Sequence, residues 1–208
     1  MAFFEEKKYL GWIDELAAQD YVIIDDFIPA ALYSKITSFF NQRLDADQLK
    51  KAGIGALGDH TIDNKIRGDY VYWLDVKQDL TFKPFFEQTT ELIDKIRRYC
   101  FLSISDFECH LAYYPAGTLY KKHIDQFKER NNRIISFVLY LNPNWQEGDG
   151  GELIIHYKDQ EISIQPLKNR LVLFKSAEVL HEVALTTKER KSVTGWMLNN
   201  PVGLGFLS

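Results

Sequence analysis

The sequence predicts a mainly β fold, a jelly-roll type of sandwich preceded by helices. Apolar residues recur at helical spacing only in the first hundred residues, and beyond residue 106 short strand-like segments alternate with turn signals. The composition, 46% hydrophobic and 26% charged, is typical of a globular protein. We expect one domain over residues 1–208, with helical and strand support over about 1–105 and a jelly-roll core over about 106–200.

Three helices and one strand are predicted in the first part. The apolar run Tyr21 to Ile24 follows the first helical pattern and predicts a strand. Pro29 is typical of a helix start and introduces the second helix. The third helix should run from about Phe82 to about Tyr99. The apolar positions at helical spacing are Leu10, Ile13, Leu16, Leu32, Ile36, Phe39, Phe40, Phe85, Phe86, Leu92, Ile93 and Ile96.

A long loop is predicted between the second and third helices. Residues 48–65 lose periodicity and contain Gly53, Gly55 and Gly58 among polar residues. Loops of this length are usually functional or disordered. A lid over a bound target and a plain connector are both open interpretations.

Six strands are predicted in the second part, separated by turn signals such as Pro115-Ala116-Gly117 and Lys158-Asp159. Antiparallel strands at this spacing favour two packed sheets, with the helices on one outer face. Such a core brings distant strand ends together. The predicted strands are Phe107–Tyr114, Ile134–Leu141, Glu152–Tyr157, Ile162–Gln165, Leu171–Phe174 and Ser192–Leu198.

The net charge and the cysteine content restrict the classes of binding partner and the cellular location that we expect. A net charge of -4 provides no basic field for nucleic acid, and no apolar run reaches the roughly 20 residues of a membrane helix. Cys100 and Cys109 lack CxxC spacing, which favours reduced, buried thiols. Acidic residues stand where a signal peptide needs basic ones, so a cytoplasmic protein is expected.

Two histidines and an aspartate form a candidate metal site. His123 and Asp125 are two residues apart, so on a strand their side chains would share one face. That pair alone is weak evidence for a metal site, because a histidine on the solvated surface is commoner than a metal ligand. His181, at the start of another possible strand, completes a facial triad that leaves three positions of an octahedral iron(II) open. A structural zinc site would need a fourth ligand, commonly cysteine.

A basic residue follows the last histidine at a short interval. Arg190 lies nine residues after His181, and alone it would be taken as a surface charge. On a strand it would share a face with Ser192, Thr194 and Trp196, so that a guanidinium, hydroxyls and an aromatic wall line one pocket.

These motifs together carry a family resemblance. The order and spacing resemble the iron(II)- and 2-oxoglutarate-dependent oxygenases of the prolyl 4-hydroxylase type. The similarity is greatest to the catalytic domain that acts on hypoxia-inducible factor and to its short bacterial relatives, and it covers about Tyr21 to Trp196. The motifs are Arg67-Gly68-Asp69 with Trp73, Tyr114-Pro115, Tyr120, His123-x-Asp125, Tyr140-Leu141-Asn142, Trp145, Gly150-Gly151, His181-Glu182-Val183, Arg190 and Trp196.

The resemblance implies a double-stranded β-helix, or cupin-like jelly roll, buttressed by helices. It implies iron(II), 2-oxoglutarate and dioxygen as cofactor and cosubstrates, with ascorbate as a candidate further cofactor. The implied partner is a protein whose prolyl residue is hydroxylated at C4, with release of succinate and carbon dioxide. The implied roles are metal binding by His123, Asp125 and His181, catalysis by these three with Arg190, and cosubstrate binding by Arg190, Tyr140, Tyr114, Thr194 and Trp196.

Several assignments compete within this interpretation. Lys191 stands where collagen-type prolyl hydroxylases have a cosubstrate lysine, but neighbouring strand residues cannot both face the pocket, and the flanking motifs favour Arg190. An ion pair of Asp69 with Arg67 and Arg133 could order the nearby loop. Histidines without a partner pattern are taken as structural or surface residues, and some apolar residues as core. These are His60, His110 and His156, and Tyr113, Phe137, Val138, Phe174 and Met197.

Other functions fit the fold less well. Oxidative demethylation of nucleic acid is disfavoured by the acidic chain and by Trp196, where those enzymes usually have a second arginine. A small molecule is another conceivable substrate class. A non-enzymatic metal-binding jelly roll would not need a cosubstrate clamp such as Arg190.

Overall fold

The computed structural model describes residues 2–53, 66–126 and 131–199. Within them the chain forms three α-helices, one short 3-10 helix (Leu80–Phe82) and eleven strands. The helices are α1 (Glu6–Gln19), α2 (Ala30–Asp45) and α3 (Lys83–Cys100). The strands are β1 (Tyr21–Ile24), β2 (Lys50–Lys51), β3 (Tyr70–Trp73), β4 (Asp106–Tyr114), β5 (Tyr120–His123), β6 (Arg133–Tyr140), β7 (Leu153–Tyr157), β8 (Gln160–Ile164), β9 (Leu171–Lys175), β10 (Leu180–Val183) and β11 (Arg190–Leu198).

The three helices lie where helical spacing predicts them. Helix α1 buries Tyr9, Ile13 and Leu16 on one face and is followed by Asp20 in the left-handed conformation, which ends it. Helix α3 begins one residue after the predicted Phe82 and ends one residue after the predicted Tyr99, so the expected boundaries are confirmed within a residue.

The strands form two antiparallel sheets, which confirms the mainly β prediction. The seven-stranded sheet, here the major sheet, has the order β1-β9-β6-β11-β4-β3-β2. The four-stranded sheet, here the minor sheet, has the order β5-β10-β7-β8. Because consecutive strands of the second half are distributed between the two sheets, residues far apart in sequence meet between them.

Alternation along β6 shows how the layers are built. Its odd-numbered residues Ile135, Phe137 and Leu139 belong to the large core shared with the helices. Val138 and Tyr140 point the other way and pack with residues of the minor sheet such as Leu153 and Ile155. Both faces are thus covered, which explains why β6 has a continuous apolar run instead of a polar alternation.

Some strand predictions need correction. The strand predicted at Ile162–Gln165 is β8, which begins already at Gln160, because Lys158 and Asp159 have positive φ and form a two-residue turn after β7. Three strands, β2, β3 and β5, were not predicted. Strand β2 lies inside the predicted loop 48–65, most of which, residues 54–65, lies outside the described residues.

The two cysteines are free thiols. Cys109 is buried and Cys100 is partly exposed, so the expectation of burial holds fully only for Cys109. None of the helices in the described ranges combines the length and the apolar character that crossing a bilayer requires.

Candidate active site

The predicted triad converges although its residues do not share one strand. His123 is the last residue of β5 and lies opposite His181 of β10 in the minor sheet. Asp125 lies two residues past the end of β5, so the prediction that it shares a strand face with His123 is wrong. The major sheet positions the carboxylate of Asp125, because the Ser136 hydroxyl of β6 donates a hydrogen bond of 2.7 Å to Asp125 Oδ2.

The three side chains offer one ligand atom each to a common point. These atoms all lie within 4.8 Å of one another. Asp125 Oδ1 is 3.4 Å from His123 Nε2 and 3.8 Å from His181 Nε2. Two imidazole nitrogens and one carboxylate oxygen form the donor set of a non-haem iron(II) site with open positions, so the residues fit that metal.

Hydrogen bonds to backbone carbonyls orient both imidazoles. His123 Nδ1 is 2.7 Å from the Lys121 carbonyl oxygen, and His181 Nδ1 is 3.0 Å from that of Val179. Each Nδ1 must donate its proton there, which leaves the lone pair of Nε2 directed at the triad. The tautomer required of a metal ligand is therefore fixed before any metal binds.

Burial and charge set the protonation states of the triad. Burial lowers the pKa of His181 to about 4, against the opposing effect of Asp125, so this imidazole is neutral near pH 7. Burial alone would raise the pKa of Asp125, but His181, His123 and Ser136 outweigh it and hold that pKa below its ordinary value. A neutral imidazole and an ionised carboxylate are the states that bind a metal.

A buried cation lies at the other end of the site. Arg190 is 2% exposed, and its Nε donates a hydrogen bond of 2.8 Å to the Gly151 carbonyl. Its guanidinium carbon is 5.0 Å from the ring centroids of both Tyr114 and Tyr140. No carboxylate in the described part of the chain forms an ion pair with Arg190. A buried unpaired cation is costly, so this position suits an anionic ligand.

Lys191 faces the other way. Its ammonium contacts Asn41 at 3.1 Å and Glu189 at 3.5 Å, on the outer side of the major sheet. The neighbouring residues of β11 therefore alternate as the strand argument requires, with Arg190 on the inner face.

Tyr140 adds a second polar group near Arg190. The residue is fully buried, and its hydroxyl has no hydrogen-bond partner among the described residues. Burial raises the pKa of Tyr140, and the Arg190 charge offsets part of this rise. The hydroxyl is thus protonated and available to a bound anion.

One cavity of about 290 Å³ connects Arg190 with the triad. Of the other predicted cosubstrate residues, Tyr114, Thr194 and Trp196 line it. Tyr140 and Ser192 are buried beside the cavity without lining it. A wider and more open cleft at the C-terminal end of α3 contains none of these residues.

Some lining residues were not predicted. Val138 and Phe174 are core residues, as expected, but they also line the cavity. His110 lines it too, although it was assigned to the structural or surface histidines. The available signal was its spacing, because His110 is four residues before Tyr114 on one predicted strand and so shares its face.

The ion pairs beside the cavity are partly as predicted. Arg67 Nε contacts Asp69 Oδ1 at 2.6 Å, and Arg67 also lies over the Tyr120 ring. Arg133 does not pair with Asp69. It contacts Glu108 at 3.2 Å and lies 3.5 Å over the Trp196 ring centroid, because β6 and β4 flank β11 on either side.

Comparisons with known proteins identify the family. The sequence model of the 2OG-Fe(II) oxygenase superfamily matches residues 109–198. A PKHD-type hydroxylase of Parvibaculum lavamentivorans is 38% identical over 89 residues, which are 42% of this chain and 40% of that protein. The match therefore spans less than half of that relative's length.

Solved structures resemble the whole fold. The crystal structure of a Pseudomonas putida prolyl-4-hydroxylase superposes with a TM-score of 0.84 and 34% identity, over 92% of this chain and 99% of that one. A prolyl hydroxylase from Trichoplax adhaerens, in complex with a peptide of the hypoxia-inducible factor oxygen degradation domain, superposes with a TM-score of 0.85 and 25% identity. The superposition covers 93% of this chain and 90% of that one. The chain therefore belongs to the 2OG-Fe(II) oxygenase superfamily, which uses iron(II), 2-oxoglutarate and dioxygen, and within it to the prolyl-hydroxylase type.

Proposed function

We propose that this protein hydroxylates a prolyl residue at C4 in a protein target, coupled to oxidation of 2-oxoglutarate to succinate and carbon dioxide. The single observation that carries the proposal is one cavity with a three-ligand metal site at one end and a buried unpaired arginine at the other. A five-carbon diacid that chelates a metal has this bifunctional form.

The metal would be held by His123, Asp125 and His181. When bound, iron(II) supplies the activation of dioxygen and the oxidation of the target C–H bond. The chain's own contribution is orientation: the carbonyls of Lys121 and Val179 fix the two imidazoles, and Ser136 fixes the carboxylate. Pre-oriented ligands of this kind would bind the metal without rearrangement of the three side chains.

The cosubstrate would be anchored by Arg190. Its guanidinium is the buried cation that needs an anion, and the Tyr140 hydroxyl is a buried donor in need of an acceptor. The terminal carboxylate of 2-oxoglutarate satisfies both. Tyr114, whose ring lies 5.0 Å from the Arg190 guanidinium carbon, would also contact the cosubstrate, and Thr194 and Trp196 would form the cavity wall beyond it. Once a diacid fills this end, water is excluded from it, which strengthens each charged contact.

The prolyl target is supported by the two structural relatives. Both are prolyl hydroxylases by name, and one is in complex with a peptide. Trp73, which is 52% exposed, lines the cavity on the side away from Arg190. An exposed aromatic residue in the cavity wall suits an apolar ring such as that of proline. The cytoplasmic location and a use of ascorbate stay predictions.

Succinate formation and peptide mass spectrometry test the proposal. The purified protein, supplied with iron(II), 2-oxoglutarate and proline-centred peptides, should form succinate and one hydroxylated proline per peptide turned over. Acid hydrolysis and chromatography against 3- and 4-hydroxyproline standards identify the carbon. Hydroxylation of a residue other than proline would contradict the proposed target, whereas absence of any iron-dependent succinate would contradict the enzymatic role.

A further inference from the structure

His110 is an unusual histidine for a cavity wall. It is 2% exposed, and its ring packs against two indoles, with centroids 4.8 Å from Trp73 and 5.5 Å from Trp196, and the two indole centroids are 6.2 Å apart. Neither ring nitrogen has a hydrogen-bond partner among the described residues. Buried polar groups in folded proteins nearly always have a partner, so both nitrogens lack something that another molecule can supply.

The imidazole is uncharged at neutral pH. Burial lowers the pKa of His110 to about 3, and the nearby guanidinium of Arg67 contributes in the same direction. Asp69 and Asp125 oppose this shift and Arg133 adds to it, but burial dominates. A neutral imidazole has one N–H donor and one nitrogen acceptor. This combination matches a peptide unit, which offers one carbonyl acceptor and one N–H donor.

The position of His110 separates it from Arg190. Arg190 is opposite Tyr114 on β4, and Thr194 is opposite His110. The two pairs are four residues apart, or roughly 13 Å along the strands. Trp196, which touches His110, is opposite Ser136, the residue that holds Asp125. His110 therefore lies level with the metal ligands, across Trp196 from them.

The two indoles beside the ring differ in exposure. Trp73 is 52% exposed, whereas Trp196 is 6% exposed. Exposed side chains change rotamer far more readily than buried ones, so Trp73 is the wall that can yield to an incoming chain. A second unpartnered donor, Trp196 Nε1, lies at the same place.

We propose that His110 is a target-positioning residue whose imidazole hydrogen-bonds the backbone of the peptide next to the residue to be oxidised. The proposal rests on the function proposed above and assigns to one side chain the recognition of the target backbone. It explains why a polar ring without a partner stands in an otherwise aromatic wall.

Two substitutions of His110 distinguish recognition from packing. His110→Phe keeps a flat ring beside the indoles and removes both nitrogens, and His110→Gln keeps a donor and an acceptor. The proline-centred peptides are used as probes, with hydroxylation followed by mass spectrometry. We expect His110→Phe to raise the KM of a hydroxylated peptide about tenfold with a smaller change in kcat. His110→Gln should recover part of that loss.

Measurements without turnover separate the target from the metal and cosubstrate. Calorimetry with Mn²⁺ and 2-oxoglutarate should give the same affinities for the wild type and for His110→Phe. Thermal unfolding of His110→Phe should occur at the same or a higher temperature, because an unpartnered buried polar group has been removed. Tyr72→Phe is the matched control, since Tyr72 lies on the adjacent β3 and contacts Asp79 on the opposite face.

The outcomes are distinct. If the wild type hydroxylates peptides and His110→Phe does so with an unchanged KM, the role of His110 is overturned while the proposed function stands. A His110→Phe variant that loses Mn²⁺ or 2-oxoglutarate affinity also overturns it, in favour of a role at the metal end. A wild type that oxidises 2-oxoglutarate but hydroxylates no peptide overturns the proposed prolyl target and this inference with it.

Discussion

The two sheets contribute to one cavity in different ways. The major sheet presents Arg190 and Tyr114 on nine-residue strands that pair without interruption from one end to the other. The minor sheet presents His123 and His181 on four-residue strands whose pairing shifts register between His181 and Val183. The cosubstrate end is thus part of a long continuous ladder, whereas the metal end depends on local contacts.

The difference extends to the outer faces of the sheets. The helices cover the major sheet with the large apolar core, which includes Phe137, Leu173 and Met197. The minor sheet contributes to a smaller cluster, and its outer side has polar contacts such as that of His156 with Glu182. We infer that the major sheet carries most of the stability and that changes at the minor sheet affect function first.

The largest expected effect is at the metal end. Asp125→Ala should abolish metal-dependent turnover, because one of three ligands and the ionised carboxylate are lost. Consumption of 2-oxoglutarate and Mn²⁺ calorimetry measure this, and circular dichroism should show an unchanged fold. Glu161→Gln is the control, since Glu161 is a 72% exposed carboxylate of the same sheet. Full turnover by Asp125→Ala would remove Asp125 from the ligand set.

The next effect is at the cosubstrate end. Arg190→Ala should weaken 2-oxoglutarate binding roughly tenfold to a few hundredfold, since hydrogen bonds to charged groups contribute ~1.5–3 kcal/mol. Lys191→Ala is the matched control and should change affinity little, because Lys191 is on the outer side of the strand. Calorimetry measures both. A larger loss for Lys191→Ala would mean that the cosubstrate binds elsewhere.

A smaller effect is expected at Ser136, which connects the major sheet with the metal ligand Asp125. Ser136→Ala removes the 2.7 Å hydrogen bond to Asp125 Oδ2 and should lower metal affinity roughly 10- to 100-fold, as for other residues that support a ligand. The affinity for 2-oxoglutarate should fall less. Ser163→Ala, on β8 and outside the triad contacts, is the control. Equal Mn²⁺ affinity in Ser136→Ala and the wild type would show that the minor sheet places Asp125 without this bond.

Gly195→Ala, in the centre of β11, is expected to affect the site least. Its expected effect is on the stability of the fold. An added Cβ would lie 2.4 Å from the Glu108 carbonyl oxygen and from Phe137 Cζ, so overpacking should lower the free energy of unfolding by about 1–3 kcal/mol. Gly11→Ala, mid-helix with open space around it, should instead stabilise by about 0.5–1 kcal/mol. Urea unfolding measures both. A neutral Gly195→Ala would contradict the assignment of stability to the major sheet.

Much of the fold followed from local patterns. The spacing of Ile13 and Leu16, or of Phe86 and Ile93, is enough to predict a helix, because one face of each helix is buried. Strands such as β4 and β9 were predicted from short apolar runs between turn signals. The short strands β3 and β5 were not, since four residues half-exposed at the cavity rim have no pattern of their own.

The residue types of the candidate site and their order were also predictable from the sequence. Spacing and residue type are local properties, so the sequence alone determined that two histidines, an aspartate and an arginine with the chemistry of a metal site and an anion clamp occur in this order. The alternation of a strand also determined that Arg190 and Lys191 face opposite sides.

The tertiary structure decided how these residues meet. Asp125 reaches the triad from beyond the end of β5, where Ser136, on the other sheet, binds its carboxylate. His110 becomes a cavity residue where β4, β3 and β11 pair, and Trp73 and Trp196, 123 positions apart in the chain, both pack against its ring. Such contacts depend on which strands become neighbours, and pairing between distant strands is set by the packing of the whole core, which no single segment encodes.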